Sequence, residues 1–373
     1  MGKLPAQTRW VIVGAGFAGA ATAWALGRAG LGPGVILERE SVYGYHASGR
    51  NAALLYLVES DPVILALALR SVAHIRELER GSAPLLRPTG GLTLAGHASG
   101  DEFDARQQLF ARNGLETAVL PAGETRRRCP LTAGVDFDLA LWCPSEGVVD
   151  IHALLSLYLQ QARDAGFRLH TNCGVEELRV QAGRVVGVHT TRGDIRADVV
   201  IDASGAWAGR LGRGAAPLPL QPLRRHLFVM GSPASAAPDA PFVWDEESSF
   251  YFRPEGDGLL FSPCDETPMS PCDPPTDPAA ADLLAEKLGL KAPAFVDLPL
   301  RRSWACLRTF APDRRPVIGA DPAVPGLFHV SALGGYGMGA SAAVGELAAT
   351  LLSGGTPDWI DAADVSPGRL AGG

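Results

Sequence analysis

The stretch VIVGAGFAGAATAWALGRAG, residues 11–30, constrains the fold more than any other part of the chain. Residues 9–13 are short, apolar and β-branched, which predicts a buried strand. Gly14 follows at once, and residues 17–30 place small apolar side chains at helical spacing. Gly14, Gly16 and Gly19 therefore form a G-x-G-x-x-G turn between a strand and a helix. Gly14 suits the tight turn, Gly16 lets backbone approach a pyrophosphate, and Gly19 lets the helix pack closely on the strand. Amides at the start of the helix, around Phe17 and Ala18, point at phosphate oxygens. A second short strand, 35–37, ends in Glu38, which is placed to accept from a ribose hydroxyl, with Arg39 beside it. The pattern predicts a bound dinucleotide. It does not choose between FAD and NAD(P).

The rest of the composition narrows the partners. With 33 Lys and Arg against 40 Asp and Glu, the formal net charge is −7 and no long basic run occurs. That argues against a nucleic-acid partner, which needs a basic face. No apolar run approaches the roughly 18 residues that a transmembrane helix requires. The six cysteines form no CxxC and no metal-ligand spacing, so reduced thiols in a cytoplasmic protein and no metal site are expected.

The cofactor-type segments are spread along the chain. VVIDASGAWAG (199–209) reads as a buried strand entering a small-residue turn. LFHVSALGGYGMGASAAVGELAATLL (327–352) reads as a strand, a glycine-rich turn with Gly334, Gly335, Gly337 and Gly339, and a helix expected over 336–353. Amides there would stabilise negative charge. Helices are also predicted at 61–80, capped by Asp61, at 150–166, capped by Asp150, and at 277–289. Residues 219–262 read mostly as strands and 263–278 as a loop.

Taken in order, GAGFAG with Glu38, HASGRNAA, GVEEL, DASGAWAG, SWACLRTFAPDRRPVIG and GGYGMGASAAVGE resemble the D-amino-acid oxidase-like family of FAD enzymes. Within it the chain is most similar to D-arginine dehydrogenase-type and glycine oxidase-like proteins, over nearly its whole length. The resemblance implies an α/β fold of two parts. One is a discontinuous Rossmann-like FAD-binding domain (1–86, 145–222 and 312–373). The other is an antiparallel-sheet substrate-binding domain (87–144 and 223–311). It implies FAD as cofactor, held also by Ser48, Gly49, Arg50, Asn51, Ala52, Val175, Ala203, Gly205, Trp207, Gly334, Gly335, Tyr336, Gly337 and Met338. The implied reaction oxidises the α-C–N bond of D-amino acids by hydride transfer to flavin N5. The imino acid formed hydrolyses to a 2-oxo acid and ammonia. An oxidase of glycine or N-methyl amino acids such as sarcosine is the alternative. A flavin domain acting on tRNA is a third, which the acidic balance disfavours. The electron acceptor, and with it oxidase or dehydrogenase character, stays open.

Such a reaction needs an anchor for a carboxylate more than an acid–base relay. Arginine is suited because its fork matches a carboxylate. Arg308, in SWACLRTF, matches the family's carboxylate-binding arginine. Arg225 matches a second one, with Arg224 as a competing neighbour. Tyr251 matches a tyrosine that reaches the same carboxylate, and strand alternation turns it away from Phe250 and Phe252. Gly335 would offer its carbonyl to the substrate amine. The chain also departs from the pattern. Leu54 and Glu59 stand where the D-arginine subgroup has a histidine and a tyrosine, and residues 87–96 lack its guanidinium-binding glutamate. D-Arginine preference is therefore not expected. Leu54, Leu55 and Leu57 imply a more apolar pocket and a broad substrate range, with Glu59 supplying charge from a new place.

Overall fold

The computed structural model describes residues 2–80, 83–211, 217–233 and 236–370. The predicted first strand, Gln7–Val13, lies at the centre of an eight-stranded sheet. It pairs in parallel with Gly34–Leu37 on one side and with Gly193–Asp202 on the other. Arg168–His170 and Leu327–Ser331 extend the parallel set outward. Where the central strands pair, at residues 10–13, Gly34–Leu37 and residues 200–201, they are apolar and buried, because both faces are covered there. Val175–Gln181, Arg184–Thr190 and Gly193–Asp202 form an antiparallel hairpin series. Its last member is one continuous strand, Gly193–Asp202.

Three helices cover one face of this sheet: Phe17–Arg28, Ile151–Asp164 and Ser341–Leu352. The first and last touch closely, since a Cβ on Gly345 would stand 2.3 Å from the Ala21 carbonyl oxygen. The expected caps are present. Asp150 accepts from the Ala153 amide, and Asp61 accepts from Val63 and Ile64 at the start of Pro62–Glu79. One boundary is corrected: the final helix begins at Ser341, not at residue 336. Four glycines among residues 334–339 remove the helix propensity there and leave a turn.

The second sheet has nine strands. Its longest pair is Gln221–Met230 against Leu300–Phe310, antiparallel, with Arg225 opposite Cys306 and Leu223 opposite Arg308. Phe250–Glu255 shows the predicted alternation. Phe250 and Phe252 pack with Leu284 and Leu288 of helix Pro278–Lys291, while Tyr251 packs on the other side with Ala52, Leu227 and Cys306. That second side faces the first sheet's loops, and the candidate site lies there. No helix among the described residues is long and apolar enough to cross a membrane.

Candidate active site

Two cavities of about 690 and 700 Å³ meet end to end between the sheets. Phe17, Ala47, Ser48, Cys306, Arg308, Gly334 and Gly337 line both.

The first cavity is walled largely by backbone and small side chains. Gly14, Gly16, Phe17, Ala18, Glu38, Arg39, Ser48, Arg50, Val175, Ala203, Gly205, Trp207, Gly334 and Gly337 all border it. Gly14 has φ +102°, and a Cβ there would lie 2.6 Å from the Ala203 carbonyl oxygen. A Cβ on Gly16 would meet Ser48 Oγ at 2.7 Å. Gly19 and Gly49 do not border either cavity. Gly19 lets the helix close on the strand, where a Cβ would stand 2.0 Å from the Gly14 oxygen. The Glu38 carboxylate is buried and accepts from the Ala15 and Glu40 amides, both at 2.9 Å. Each oxygen keeps a second lone pair for a ribose hydroxyl. Trp207 is flanked by His46, with centroids 4.7 Å apart, and by the Arg39 guanidinium at 4.6 Å.

The cavity fits FAD on this chain's own chemistry. Its walls carry two buried hydroxyls, Thr309 Oγ1 and Ser331 Oγ, that have no hydrogen-bond partner among the described residues. A polar ligand supplies such partners, and leaving them unmade is costly. The glycine turn supplies the close backbone approach that a pyrophosphate needs.

The second cavity is different in kind. Leu54, Glu59, Arg225 and Tyr251, expected at the substrate, border it together with Arg308; Asn51, Ala52, Gly335, Tyr336 and Met338, expected at the cofactor, border this cavity and not the first. Tyr56 stacks on Trp244, and Trp244 on Tyr251, with centroid spacings of 5.2 and 5.1 Å. The Tyr251 hydroxyl is buried and unpartnered, and burial pushes its pKa up, so it stays a neutral donor. Gly335 lies against Arg308, whose Nη1 would be 3.1 Å from a Cβ at that position.

Five carboxylates and five arginines line this cavity, and most neutralise one another. Asp61 pairs with Arg315 at 2.9 Å, and Glu246 with Arg106 at 2.7 Å. Glu266 takes both Arg225 at 2.8 Å and Arg314 at 2.7 Å. Burial opposes ionisation of Glu266, but the two guanidiniums hold its pKa below the usual range. Asp313 pairs with Arg369 outside the cavity. Arg308 and Glu59 are left without an ion-pair partner among the described residues. Glu59 accepts from the Tyr336 hydroxyl and from the Ser60 amide.

The competition between Arg224 and Arg225 is resolved by placement. Arg225 reaches the cavity, held by Glu266 and by the Asp265 carbonyl at 2.8 Å, whereas Arg224 pairs with Asp277. Sequence reasoning did not find Tyr56, Trp244, Arg106 or Glu246. Tyr56 lies beside the HASGRNAALL run, so its position was the available signal. The others come from segments with no local motif.

Residues 9–351 match the family described as FAD dependent oxidoreductase (DAO), and the chain belongs to that family. Its cofactor is FAD. The chain is 30% identical to glycine oxidase of Pseudomonas aeruginosa, over 97% of this chain and 99% of that protein. It is 26% identical to human mitochondrial sarcosine dehydrogenase over 95% of its own length, and spans only 40% of that longer protein. In fold it is similar to L-proline dehydrogenase from P. horikoshii, with a TM-score of 0.88, 20% identity and 99% of both chains covered.

Proposed function

We propose that this protein oxidises the α-C–N bond of a D-amino acid, giving an imino acid that hydrolyses in water to a 2-oxo acid and ammonia. The observation that carries this reading is Arg308. Among the described residues it is a cation without a carboxylate partner, placed where the cofactor cavity opens into the substrate cavity, next to the Tyr251 hydroxyl, itself unpartnered there. A substrate carboxylate satisfies both groups at once. When bound, FAD supplies the two-electron acceptor for the α-hydrogen. The protein's part is to hold the α-carbon in place and exclude water. Gly335, beside Arg308, offers its carbonyl to the amine. Arg225, already engaged by Glu266, serves as a supporting positive charge.

The sheet partition supports a division of labour in which 1–86, 145–222 and 312–373 hold the cofactor and 87–144 with 223–311 cover the substrate. Leu54, Tyr56 and Trp244 favour an apolar side-chain stem, and Glu59 favours a positive tip. A cytoplasmic location accompanies this reading, with the acceptor being oxygen, a quinone or another oxidant. The second reading is oxidation of glycine or an N-methyl amino acid, favoured by the likeness to glycine oxidase and sarcosine dehydrogenase. Anaerobic bleaching of the flavin by a panel of D- and L-amino acids, glycine and sarcosine separates them. Bleaching by glycine or sarcosine alone selects the second reading, and bleaching by none overturns both.

A further inference from the structure

The loop between Thr267–Pro268 and helix Pro278–Lys291 comes from the second sheet, yet Cys272 and Pro274 line the cofactor cavity of the first. Both ends of this loop are pinned. At one end Glu266 is held by Arg225 and Arg314. At the other, Asp277 pairs with Arg224, and its amide donates to His226 Nε2 at 2.9 Å.

The middle is held differently. From residue 270 to 276 the only hydrogen bonds to other described segments are made by the side chain of Asp273. Its Oδ2 accepts from the Tyr45 hydroxyl at 3.0 Å, and its Oδ1 pairs with the Arg50 guanidinium. Arg50 in turn lies 4.7 Å over the Tyr45 ring. Tyr45 and Arg50 flank the HASG run and themselves border the cofactor cavity. The latch is open to water, since the Asp273 side chain is 49% exposed. A firmly anchored loop is thus fastened at its midpoint, across a cofactor cavity, by one solvent-accessible carboxylate.

We infer that Asp273 is a positioning residue that latches residues 270–276 over the bound FAD, and that release of this latch is the step through which the cofactor leaves and enters. The inference does not depend on which amine the enzyme oxidises. A half-exposed ion pair is screened by salt, whereas cavity contacts are screened much less. Opening is therefore salt-sensitive for a reason that resides in one residue.

The test follows FAD release from the purified holoenzyme by the recovery of free-flavin fluorescence after dilution, between about 0.05 and about 0.5 M salt. The wild type is expected to release faster as salt rises. Asp273→Asn is expected to release roughly three- to tenfold faster at low salt and to lose the salt dependence. Tyr45→Phe, which removes one donor and keeps the charge pair, moves the rate less in the same direction. An Asp273→Asn rate equal to the wild type overturns the inference, as does a salt slope that survives in the variant. Should that variant not fold, a wild-type rate that is flat across the salt range overturns it. So does FAD that stays attached through denaturation.

Discussion

The two cavities are about equal in volume and are built by opposite means. The cofactor end is walled largely by small side chains and backbone, and its fit at the glycine turn depends on what is missing from the side chains. The substrate end is walled by long charged and aromatic side chains from many segments, and its character depends on which charges cancel. The first kind of wall tolerates no added atoms. The second tolerates change in its side chains but is sensitive to charge. Binding a large invariant cofactor and a small variable substrate calls for this contrast.

The sharpest way to break the comparison is at Gly19, which does not border the cofactor cavity itself but packs the helix onto the turn that walls it. Gly19→Ala places a Cβ 2.0 Å from the Gly14 oxygen, which neither backbone can avoid without moving the turn. The expected product is folded or partly folded protein without flavin absorbance at any added FAD concentration tried. A yellow, active Gly19→Ala enzyme would refute the steric argument. Next comes the junction. Arg308→Ala is expected to lower kcat/KM for the best amino acid by about 30- to 4,000-fold, since removing one partner of a desolvated charge pair costs about 2–5 kcal/mol. FAD content should fall far less than kcat/KM, because Arg308 meets the cofactor cavity only at its junction with the second. Arg308→Lys should recover part of the loss, because it restores charge but not the fork.

At the substrate end the effects are smaller and selective. Glu59→Gln is expected to change the preference between a lysine-like substrate and its uncharged norleucine-like counterpart by roughly fivefold, the size of a partly exposed ion pair. The ratio of the two kcat/KM values is the measurement, and an unmoved ratio removes Glu59 from the recognition of side chains.

The smallest effect concerns a residue behind that wall. Glu146 is fully buried, accepts from the Leu57 and Val58 amides at 2.5 and 3.1 Å, and leaves its other oxygen unpartnered. Burial raises its pKa from 4.5 to about 8. An acid raised in this way contributes stability that is fully present below pH 4.5 and is lost as pH climbs to about 8, because the unfolded chain gives up its proton first. Glu146→Gln has no such proton to lose. Its melting temperature should gain on the wild type by a few degrees between pH 5 and pH 8. A difference that does not vary with pH would show that Glu146 is not protonated in the folded protein.

The same contrast explains what the sequence made legible. Gly14, Gly16, Glu38 and Gly334 were readable because a backbone-lined cavity leaves its mark as short runs of small residues at fixed spacing, while Ser48 and Ala203 came from the family resemblance. The strands and most helix caps were readable for similar local reasons. The start of the last helix was misplaced because the alanine-rich pattern after Gly339 extends its helical signal back over the glycines. At the substrate end, Arg308, Tyr251, Leu54 and Glu59 were reached through the family resemblance. The pairing of Glu246 with Arg106 and of Glu266 with Arg225 was out of reach, since each joins segments tens of residues apart. Which charges remain free is a property of the whole assembly. No single segment records it.

The seven residues common to both cavities carry a practical consequence for altering this enzyme. Leu54, Tyr56, Glu59 and Trp244 line only the second cavity, so under the proposed function a library that varies them is expected to explore new amines with little effect on flavin loading. Ser48, Cys306, Arg308 and Gly334 sit on the party wall, and diversity placed there is read twice, once by each tenant.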